Sequence, residues 1–254
     1  MSLHVESAGS GKPLLLIHGW GMHGGVWTDV AQKLATDFRV HSVDLPGFGA
    51  SAPLRQTNLD AVVQALSQQF SEPLNVCGWS LGGQFALHWA KGEPEKVRRL
   101  VLVTSTPCFA GREDWLFGMA IEVLAKFAAE LEQNHAATLR RFIALQLRGS
   151  ENERELLGLL RERLFSRGEP DMGALRGGLE ILRDADLRAT LPEITQPTLL
   201  IAGERDRLTP PEASYYLAQT MPSARVVEVA GAAHAPFLSH PDIFVEQVKS
   251  FLNE

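Results

Sequence analysis

The sequence predicts an α/β fold in which a mostly parallel central sheet is flanked by helices and carries an inserted helical cap. Strand and helix patterns alternate from the N-terminus to residue 104, as a parallel sheet with crossover helices requires. The predicted strands are near-continuous apolar runs, which are typical of strands covered on both faces. A chain of 254 residues is long enough for one such domain with an insertion.

The order of the predicted elements separates a sheet from a cap. Six strands are predicted, at residues 14–17, 39–43, 74–77, 100–104, 198–202 and 225–229. Between residues 113 and 183 the apolar residues instead recur at helical spacing, and no strand pattern is convincing. We therefore predict a core made of residues 1–109 and 186–254, and a helical cap made of residues 110–185.

The segment Gly78-Trp79-Ser80-Leu81-Gly82 lies between a predicted strand and a predicted helix. This is the pattern of a nucleophile elbow, a tight turn that exposes a serine hydroxyl at the start of a helix. Glycines two residues before and two residues after the serine leave room where a Cβ would clash. We predict Ser80 as a nucleophile, with the N–H of Leu81 and the helix dipole stabilising negative charge on a substrate oxygen.

A serine nucleophile needs a base and an orienting acid, which in this architecture follow it in the order Asp, then His. Asp206 follows the strand predicted at residues 198–202, in a Gly-x-x-Asp turn. His234 follows the strand predicted at residues 225–229, and no other of the eight histidines follows a strand late enough to complete a triad. Glu204 is the main rival of Asp206 as the orienting acid.

Composition argues against several other classes of protein. A formal net charge of −6 is unsuited to a nucleic-acid binder, which needs a basic surface. Two cysteines do not make a disulfide framework, and no spacing of Cys, His and carboxylates indicates a metal site. The first residues lack the pattern of a signal peptide, and no apolar run is long enough to span a bilayer. The expected location is the cytoplasm.

Positive charge is concentrated in the predicted cap. Residues 140–167 contain seven arginines and four glutamates, so this segment carries +3 in a chain that carries −6. Such a surface would attract an acidic partner or an anionic substrate. The alternative is a helix surface that simply faces water, and charge alone favours that alternative.

Six motifs together resemble the α/β-hydrolase superfamily and, within it, the BioH family of carboxylesterases. That family removes the methyl group from pimeloyl-acyl-carrier-protein methyl ester in biotin synthesis. The motifs lie at residues 18–21, 43–49, 78–83, 105–109, 177–182 and 234–241. The Ser-x-Pro-Cys-Phe and Gly-Gly-Leu-Glu-Ile-Leu motifs are the most specific, because nothing in the catalytic mechanism demands them.

The resemblance implies an α/β-hydrolase fold and a set of roles around the predicted triad. The N–H of Trp20 is expected to join that of Leu81 in an oxyanion hole, while His18 holds the loop. The side chains of Trp20, Trp79 and Phe142 are expected to line an acyl pocket. Asp44, in the Asp-Leu-Pro-Gly-Phe-Gly motif, is expected to support the site from beneath rather than to act in the reaction.

The resemblance also implies an acyl carrier protein as the acidic partner, which gives the arginine-rich cap a purpose. Arg141 and Arg154 match arginines that face the carrier in this family. Ala137 and Gly158 stand where familiar members have further arginines, so carrier contacts are expected to be weaker or rearranged. No nucleic acid and no membrane is expected as a partner, and the protein is expected to be a monomer.

In this interpretation Ser80 attacks an ester carbonyl, His234 accepts its proton and Asp206 orients the imidazole, with no metal or organic cofactor. A general short-chain carboxylesterase and a carbon–carbon bond hydrolase keep the same triad and stay open. A ligand-binding protein with a hydrolase fold is a further alternative. Haloalkane dehalogenases and epoxide hydrolases are disfavoured, because they use an aspartate in place of Ser80.

Overall fold

A computed structural model describes residues 2–254 of the chain. Its strands are Val5–Ala8 (β1), Lys12–Ile17 (β2), Phe38–Val43 (β3), Leu74–Trp79 (β4), Val97–Val103 (β5), Thr198–Gly203 (β6) and Ala224–Val229 (β7). In this described range they form one seven-stranded sheet with the order β1-β3-β2-β4-β5-β6-β7. β1 pairs antiparallel with β3, and the other neighbouring pairs are parallel. The predicted α/β class with a mostly parallel sheet is therefore confirmed.

The sequence pattern does not predict β1. This strand has four residues, of which Val5 is half-buried and the next three are exposed. Because it lies at the edge of the sheet and faces solvent, it lacks the apolar run that marks the covered strands.

Helices cover the sheet and fill the long connection between β5 and β6. Those that follow the sheet strands are Thr28–Leu34 (α1), Leu59–Gln69 (α2), Leu81–Gly92 (α3), Pro211–Thr220 (α8), Pro236–Ser239 (α9) and Pro241–Asn253 (α10). Those between β5 and β6 are Ile121–Gln133 (α4), His135–Leu147 (α5), Glu153–Leu164 (α6) and Met172–Asp184 (α7). The last four lie inside the predicted cap, whose bounds at residues 110 and 185 stay a prediction.

Local sequence explains where two of the four cap helices, α5 and α7, begin. The side chain of Asn134 accepts a hydrogen bond from the N–H of Ala137 at the start of α5, at 3.0 Å. Asp171 caps α7 in the same way through the N–H of Ala174, at 2.9 Å. Each of these two side chains satisfies an N–H that the first helical turn leaves without a partner.

The carboxyl ends of the parallel strands place the predicted catalytic residues at one edge of the sheet. His18 follows β2, Ser80 follows β4, Asp206 comes three residues after β6, and His234 comes five residues after β7. Ligands of open α/β sheets bind outside this edge.

An aromatic cluster under this edge fixes the C-terminal helices. The ring of Phe237 lies 4.2 Å from that of Trp27 and 5.0 Å from that of Trp79, measured between centroids. Phe244 of α10 packs 6.0 Å from Phe237. All four side chains are buried, and aromatic contacts of this kind add about 0.5–1.5 kcal/mol each to the hydrophobic gain.

Two cap arginines connect the cap to the core. Arg163 donates to both carboxylate oxygens of Asp29, at 2.8 and 3.0 Å. Arg167 donates to the fully buried carboxylate of Asp44 at 2.9 Å and also pairs with Glu6. The charge count alone would place these arginines on a surface that faces only solvent. Both arginines instead contact the core.

Replacing Arg167 by alanine is expected to lower the free energy of unfolding by about 1–3 kcal/mol, since the buried Asp44 carboxylate loses a charged donor. Burial opposes ionisation of Asp44, but donors such as the N–H groups of Ala50 and Gly24 hold its pKa below the ordinary value. Urea denaturation measures the loss. Arg176→Ala, which breaks an exposed pair with Glu132, is the matched control and should leave stability near the parent's. Equal losses in both variants would contradict the anchoring role of Arg167.

Candidate active site

Ser80 sits in a strained turn between β4 and α3. Its φ of 55° and ψ of −119° lie in a region that a residue with a Cβ rarely adopts. A Cβ added to Gly78 would lie 2.4 Å from the carbonyl oxygen of Gly82, and one added to Gly82 would lie 2.5 Å from that of Ile17. The two glycines of the motif are therefore required by close backbone contacts on both sides of the serine.

Ser105 supports this turn, a role that the sequence motif around it does not reveal. The hydroxyl of Ser105 lies 3.1 Å from the carbonyl oxygen of Ser80 and 3.0 Å from that of Val103. The N–H of Ser80 also donates to the carbonyl of Val103, at 3.0 Å. A Cβ on Gly83 would lie 2.0 Å from the Ser105 hydroxyl, so the second glycine after the elbow makes room for this contact.

Asp206 and His234 form a buried hydrogen-bonded pair. His234 Nδ1 donates to Asp206 Oδ2 at 2.7 Å, and both side chains are excluded from solvent. The other carboxylate oxygen accepts the N–H groups of Leu208 and Thr209, at 2.8 and 3.1 Å. The Thr209 hydroxyl also lies 2.7 Å from Asp206 Oδ2. These contacts hold the carboxylate in place against Nδ1 of the imidazole.

The structure separates Glu204 from the histidine. Its side chain is exposed and accepts the N–H of Gly231 at 2.7 Å. The turn after β6, closed by a 3.1 Å hydrogen bond from the N–H of Asp206 to the carbonyl of Gly203, aims Asp206 inward instead.

Three segments fix the backbone of His234. Its carbonyl accepts the indole N–H of Trp79 at 2.8 Å and the hydroxyl of Thr104 at 2.7 Å. Its own N–H donates to the carbonyl of Gln146 in α5, at 3.0 Å. The histidine loop is thus held by β4, by the end of β5 and by a cap helix. The structure gives Trp79 one clear role, the hydrogen bond from its indole to the His234 carbonyl. The role of Trp79 in an acyl pocket stays a prediction.

The second imidazole nitrogen of His234 is left free. Nε2 is buried, and among residues 2–254 it has no hydrogen-bond partner, Ser80 included. Hydrogen bonds between a nucleophile and its base are often long without substrate and tighten only in the reacting complex. A buried nitrogen with a lone pair, backed by a carboxylate on the other side of the ring, is suited to accept a proton.

The loop after β2 lies directly against the elbow. A Cβ on Gly19 would lie 3.3 Å from the Cβ of Ser80. Within the described part of the chain, neither the N–H of Trp20 nor that of Leu81 has a hydrogen-bond partner. Both N–H groups are therefore available to a substrate oxygen next to the serine, as the predicted oxyanion hole requires.

The Trp20 side chain contacts the cap. Its indole N–H donates to the carbonyl of Leu175 in α7 at 2.9 Å. Its ring lies 5.1 Å from that of Phe142 and 5.5 Å from that of Phe127, which the sequence analysis did not single out. A Cβ on Gly178 would lie 2.5 Å from the indole, so the Gly-Gly motif of α7 allows the helix to approach Trp20.

An apolar cavity of about 40 Å³ lies beside the rings of Phe127 and Phe142 in the cap. It is lined by Phe109, Met119, Val123, Leu124, Phe127, Phe142, Leu145, Leu179, Leu182 and Leu208. Leu208 follows Asp206 by two residues, whereas Ser80, Asp206 and His234 themselves do not line this cavity. Val123 and Leu145 are 53% and 37% exposed, which marks the outer mouth of the cavity between α4 and α5. Of the three predicted pocket residues, Trp20 and Phe142 are brought together, while Trp79 packs under the sheet edge.

The cap arginines have different surroundings. Arg141 and Arg154, the two predicted carrier contacts, are both exposed on α5 and α6. Arg141 pairs with Glu130 of α4, whereas Arg154 has no ion pair within residues 2–254. Arg140 stacks on Phe165, with its guanidinium carbon 5.4 Å from the ring centroid.

The described residues contain neither a metal-binding cluster nor a membrane-spanning helix. Across residues 2–254, no group of three or more His, Cys, Asp or Glu side chains is placed to hold a metal ion. No helix in the described range has the length and apolar character needed to cross a membrane.

Known proteins share this fold. Residues 12–241 match the family model of the alpha/beta hydrolase fold. A solved esterase from Exiguobacterium antarcticum is similar with a TM-score of 0.90 and 23% identity, over 99% of this chain and 96% of that one. A bromoperoxidase from Bacillus anthracis has a TM-score of 0.90 at 21% identity, over 99% and 95%. Fold, elbow and buried Asp–His pair together define an α/β hydrolase, and the predicted superfamily is confirmed.

Closer relatives give a narrower family. A pimeloyl-[acyl-carrier protein] methyl ester esterase of Nitrosomonas europaea is 44% identical over 96% of this chain and 97% of its own. The protein of that name in Chromobacterium violaceum is 44% identical over 99% and 98%. This chain belongs to the family of pimeloyl-[acyl-carrier protein] methyl ester esterases, and the resemblance seen in the sequence motifs is confirmed.

The substitution Asp206→Asn is expected to lower kcat on a small free ester by about 10³- to 10⁴-fold, with the fold retained. An amide nitrogen facing Nδ1 donates rather than accepts, so the imidazole proton moves to Nε2 and the base is lost. Glu204→Gln is the matched control, because it changes a carboxylate two residues away that does not touch His234. Steady-state kinetics of both variants measure the difference, and a large loss in Glu204→Gln with a small one in Asp206→Asn would reverse the assignment.

Proposed function

We propose that this protein is a serine carboxylesterase that hydrolyses the methyl ester of pimeloyl-acyl-carrier protein in biotin synthesis. The products are free pimeloyl-acyl-carrier protein and methanol. The observation that carries the proposal is the buried Asp206–His234 pair, with its free Nε2, at the sheet edge that holds the Ser80 elbow. The names of the relatives supply the substrate.

The first half of the reaction forms an acyl-enzyme. The Ser80 hydroxyl attacks the ester carbonyl while His234 Nε2 takes its proton, and the Asp206 carboxylate stabilises the resulting imidazolium. The tetrahedral oxyanion accepts hydrogen bonds from the N–H groups of Trp20 and Leu81. When the intermediate collapses, the protonated His234 gives its proton to the departing methoxide oxygen, and methanol leaves.

The second half returns the free serine. His234 removes a proton from a water molecule, whose oxygen attacks the acyl-enzyme carbonyl and forms a second oxyanion at the same two N–H groups. His234 then protonates the Ser80 oxygen as the pimeloyl carboxylate is released. Every proton transfer passes through one nitrogen, so the mechanism requires no metal or organic cofactor.

The cap supplies a surface for the carrier protein. Arg141 and Leu145 are four residues apart on α5 and therefore lie on the same face of the helix. Because Leu145 lies at the outer mouth of the apolar cavity, a carrier held at Arg141 would present its acyl group close to that mouth. Arg154, exposed in the first turn of α6, adds positive charge that would attract an acidic carrier.

The small volume of the cavity sets a condition on substrate entry. Its volume of about 40 Å³ is far below the roughly 300–1,000 Å³ of sites that enclose small molecules. For this cavity to take a pimeloyl chain, α4 and α5 would have to move apart at the mouth. We further propose that the enzyme works as a monomer in the cytoplasm, without a nucleic-acid or membrane partner, in keeping with its net charge of −6.

The function is tested by comparing hydrolysis of pimeloyl-carrier methyl ester with hydrolysis of free short-chain esters. We expect a strong preference for the carrier ester, and a loss of at least about 10⁴-fold on both substrates in Ser80→Ala, which lacks the nucleophile. Activity confined to free esters would leave a general carboxylesterase. Near-parental activity in Ser80→Ala would contradict a mechanism with Ser80 as the nucleophile.

Charge reversal at Arg154 is expected to lower kcat/KM for the carrier ester by about tenfold and to leave kcat/KM for a small ester unchanged, because encounter with an acidic partner is steered by charge. Arg141→Glu should act in the same direction, although it also places a second carboxylate beside that of Glu130. The control is Arg98→Glu, the same change on an exposed residue near the start of β5, at the edge of the sheet opposite the site. The carrier role of Arg154 fails if its charge reversal affects both substrates alike, or if Arg98→Glu lowers kcat/KM for the carrier ester as much. The effect should shrink at high salt.

A further inference from the structure

The peptide bond between Gly19 and Trp20 carries one of the two oxyanion donors, and the side chain of His18 binds its other end. His18 is fully buried. Its Nδ1 lies 2.8 Å from the carbonyl oxygen of Gly19, and its Nε2 accepts the N–H of Leu45 at 3.0 Å.

These two contacts determine the protonation state of the ring. The N–H of Leu45 can only donate, so Nε2 must present a lone pair. The single proton of the neutral ring is then on Nδ1, which donates to the Gly19 carbonyl. Burial is the main cause that lowers the pKa of His18 to about 4, and the charges of His23 and Arg167 act in the same direction. The hydrogen bond to the Gly19 carbonyl and the charge of the Asp44 carboxylate have smaller, opposite effects. The ring is therefore neutral at pH 7.

A trans peptide is planar, and its C=O and N–H point in opposite directions. A hydrogen bond that fixes the Gly19 oxygen therefore also fixes the direction of the Trp20 N–H. If the peptide rotated by half a turn, it would direct a carbonyl oxygen at the developing oxyanion instead of a donor. Gly19 has no Cβ to hinder that rotation, and space for one is limited by Ser80 and Trp79.

Other contacts hold this peptide only weakly. The N–H of Met22 reaches the Gly19 oxygen at 3.4 Å, longer than the usual 2.7–3.2 Å range of such bonds. The Trp20 indole is anchored to Leu175, but rotation of the peptide behind the side chain does not require that bond to break. His18 makes the one short hydrogen bond to the Gly19 carbonyl in the described part of the chain.

We propose that His18 is a positioning residue, whose Nδ1–H holds the Gly19 carbonyl so that the Trp20 N–H faces the oxyanion. The proposal rests on the proposed function only in taking the Trp20 N–H as an oxyanion donor. The buried Asp44 supports the arrangement, because it accepts the N–H groups of Gly24 and Ala50 and so fixes the loop that brings Leu45 to the ring.

Two substitutions separate the two contacts of the ring. An asparagine amide can occupy the place of Nδ1 and donate to the Gly19 carbonyl, but it cannot reach Leu45. A glutamine can place its oxygen near Nε2 and accept from Leu45, but it cannot donate to Gly19. His18→Asn therefore keeps the proposed function of the ring, and His18→Gln keeps only its support of the neighbouring loop.

On p-nitrophenyl acetate, His18→Gln is expected to lower kcat by about 10²-fold with KM within about threefold, the effect of losing one oxyanion donor. His18→Asn should stay within about tenfold of the parent in kcat. Affinity for a trifluoromethyl ketone, whose adduct with Ser80 carries an oxyanion, should fall in His18→Gln by a factor similar to that in kcat/KM.

The proposal is overturned if His18→Gln keeps parental kcat, or if both variants lose kcat equally and in step with their melting temperatures, as a packing role predicts. A second measurement needs no variant. Nitrogen NMR of the parent should show His18 neutral and protonated at Nδ1 from about pH 5 to 9, and a proton on Nε2 would also overturn the proposal. A parent active on small esters but not on the carrier ester would remove the proposed substrate and leave this proposal standing.

Discussion

Close backbone packing around the elbow is the constraint on which the rest of the site depends. The turn at Ser80 touches the end of β2 through Gly82 and the end of β5 through Gly83 and Ser105, at distances that leave no space for a Cβ. Three adjacent strands of one parallel sheet thus converge on the serine. This convergence brings the loop after β2, with the N–H of Trp20, next to Ser80, and it sets the position of the sheet edge at which Asp206 and His234 follow β6 and β7.

The sequence predicted those parts of the molecule that depend on local requirements. Buried strands appear as apolar runs, the elbow needs glycines, and Asp206 and His234 follow strand ends in the expected order. The parts it missed depend on neighbours distant in sequence. β1 is an exposed edge strand with no apolar run, and the contacts of Ser105 and Gln146 join segments far apart in the chain. Spacing favoured Asp206 over Glu204 through the Gly-x-x-Asp turn, but only the fold of the turn after β6 shows which of the two side chains points inward.

The roles of the cap arginines could not be predicted from the sequence for the same reason. Counting arginines treats them as one basic surface, whereas the fold uses Arg163 and Arg167 in contacts to the core and leaves Arg154 exposed. The anchors lie at the junction of α6 and α7, and the indole of Trp20 adds another beneath α7. The mouth of the apolar cavity lies between α4 and α5, away from these anchors. The cap is therefore fixed on one side and has its apolar opening on the other.

The hydrogen bond from the His234 N–H to the Gln146 carbonyl has a thermodynamic consequence. It joins His234 to α5, the helix that also carries Phe142 and Leu145 at the cavity. Coupling between two sites is reciprocal, so whatever shifts the His234 backbone also acts on α5, and whatever shifts α5 also acts on His234. The histidine loop and the cap helix are thus linked, and neither can move without lengthening or breaking this hydrogen bond.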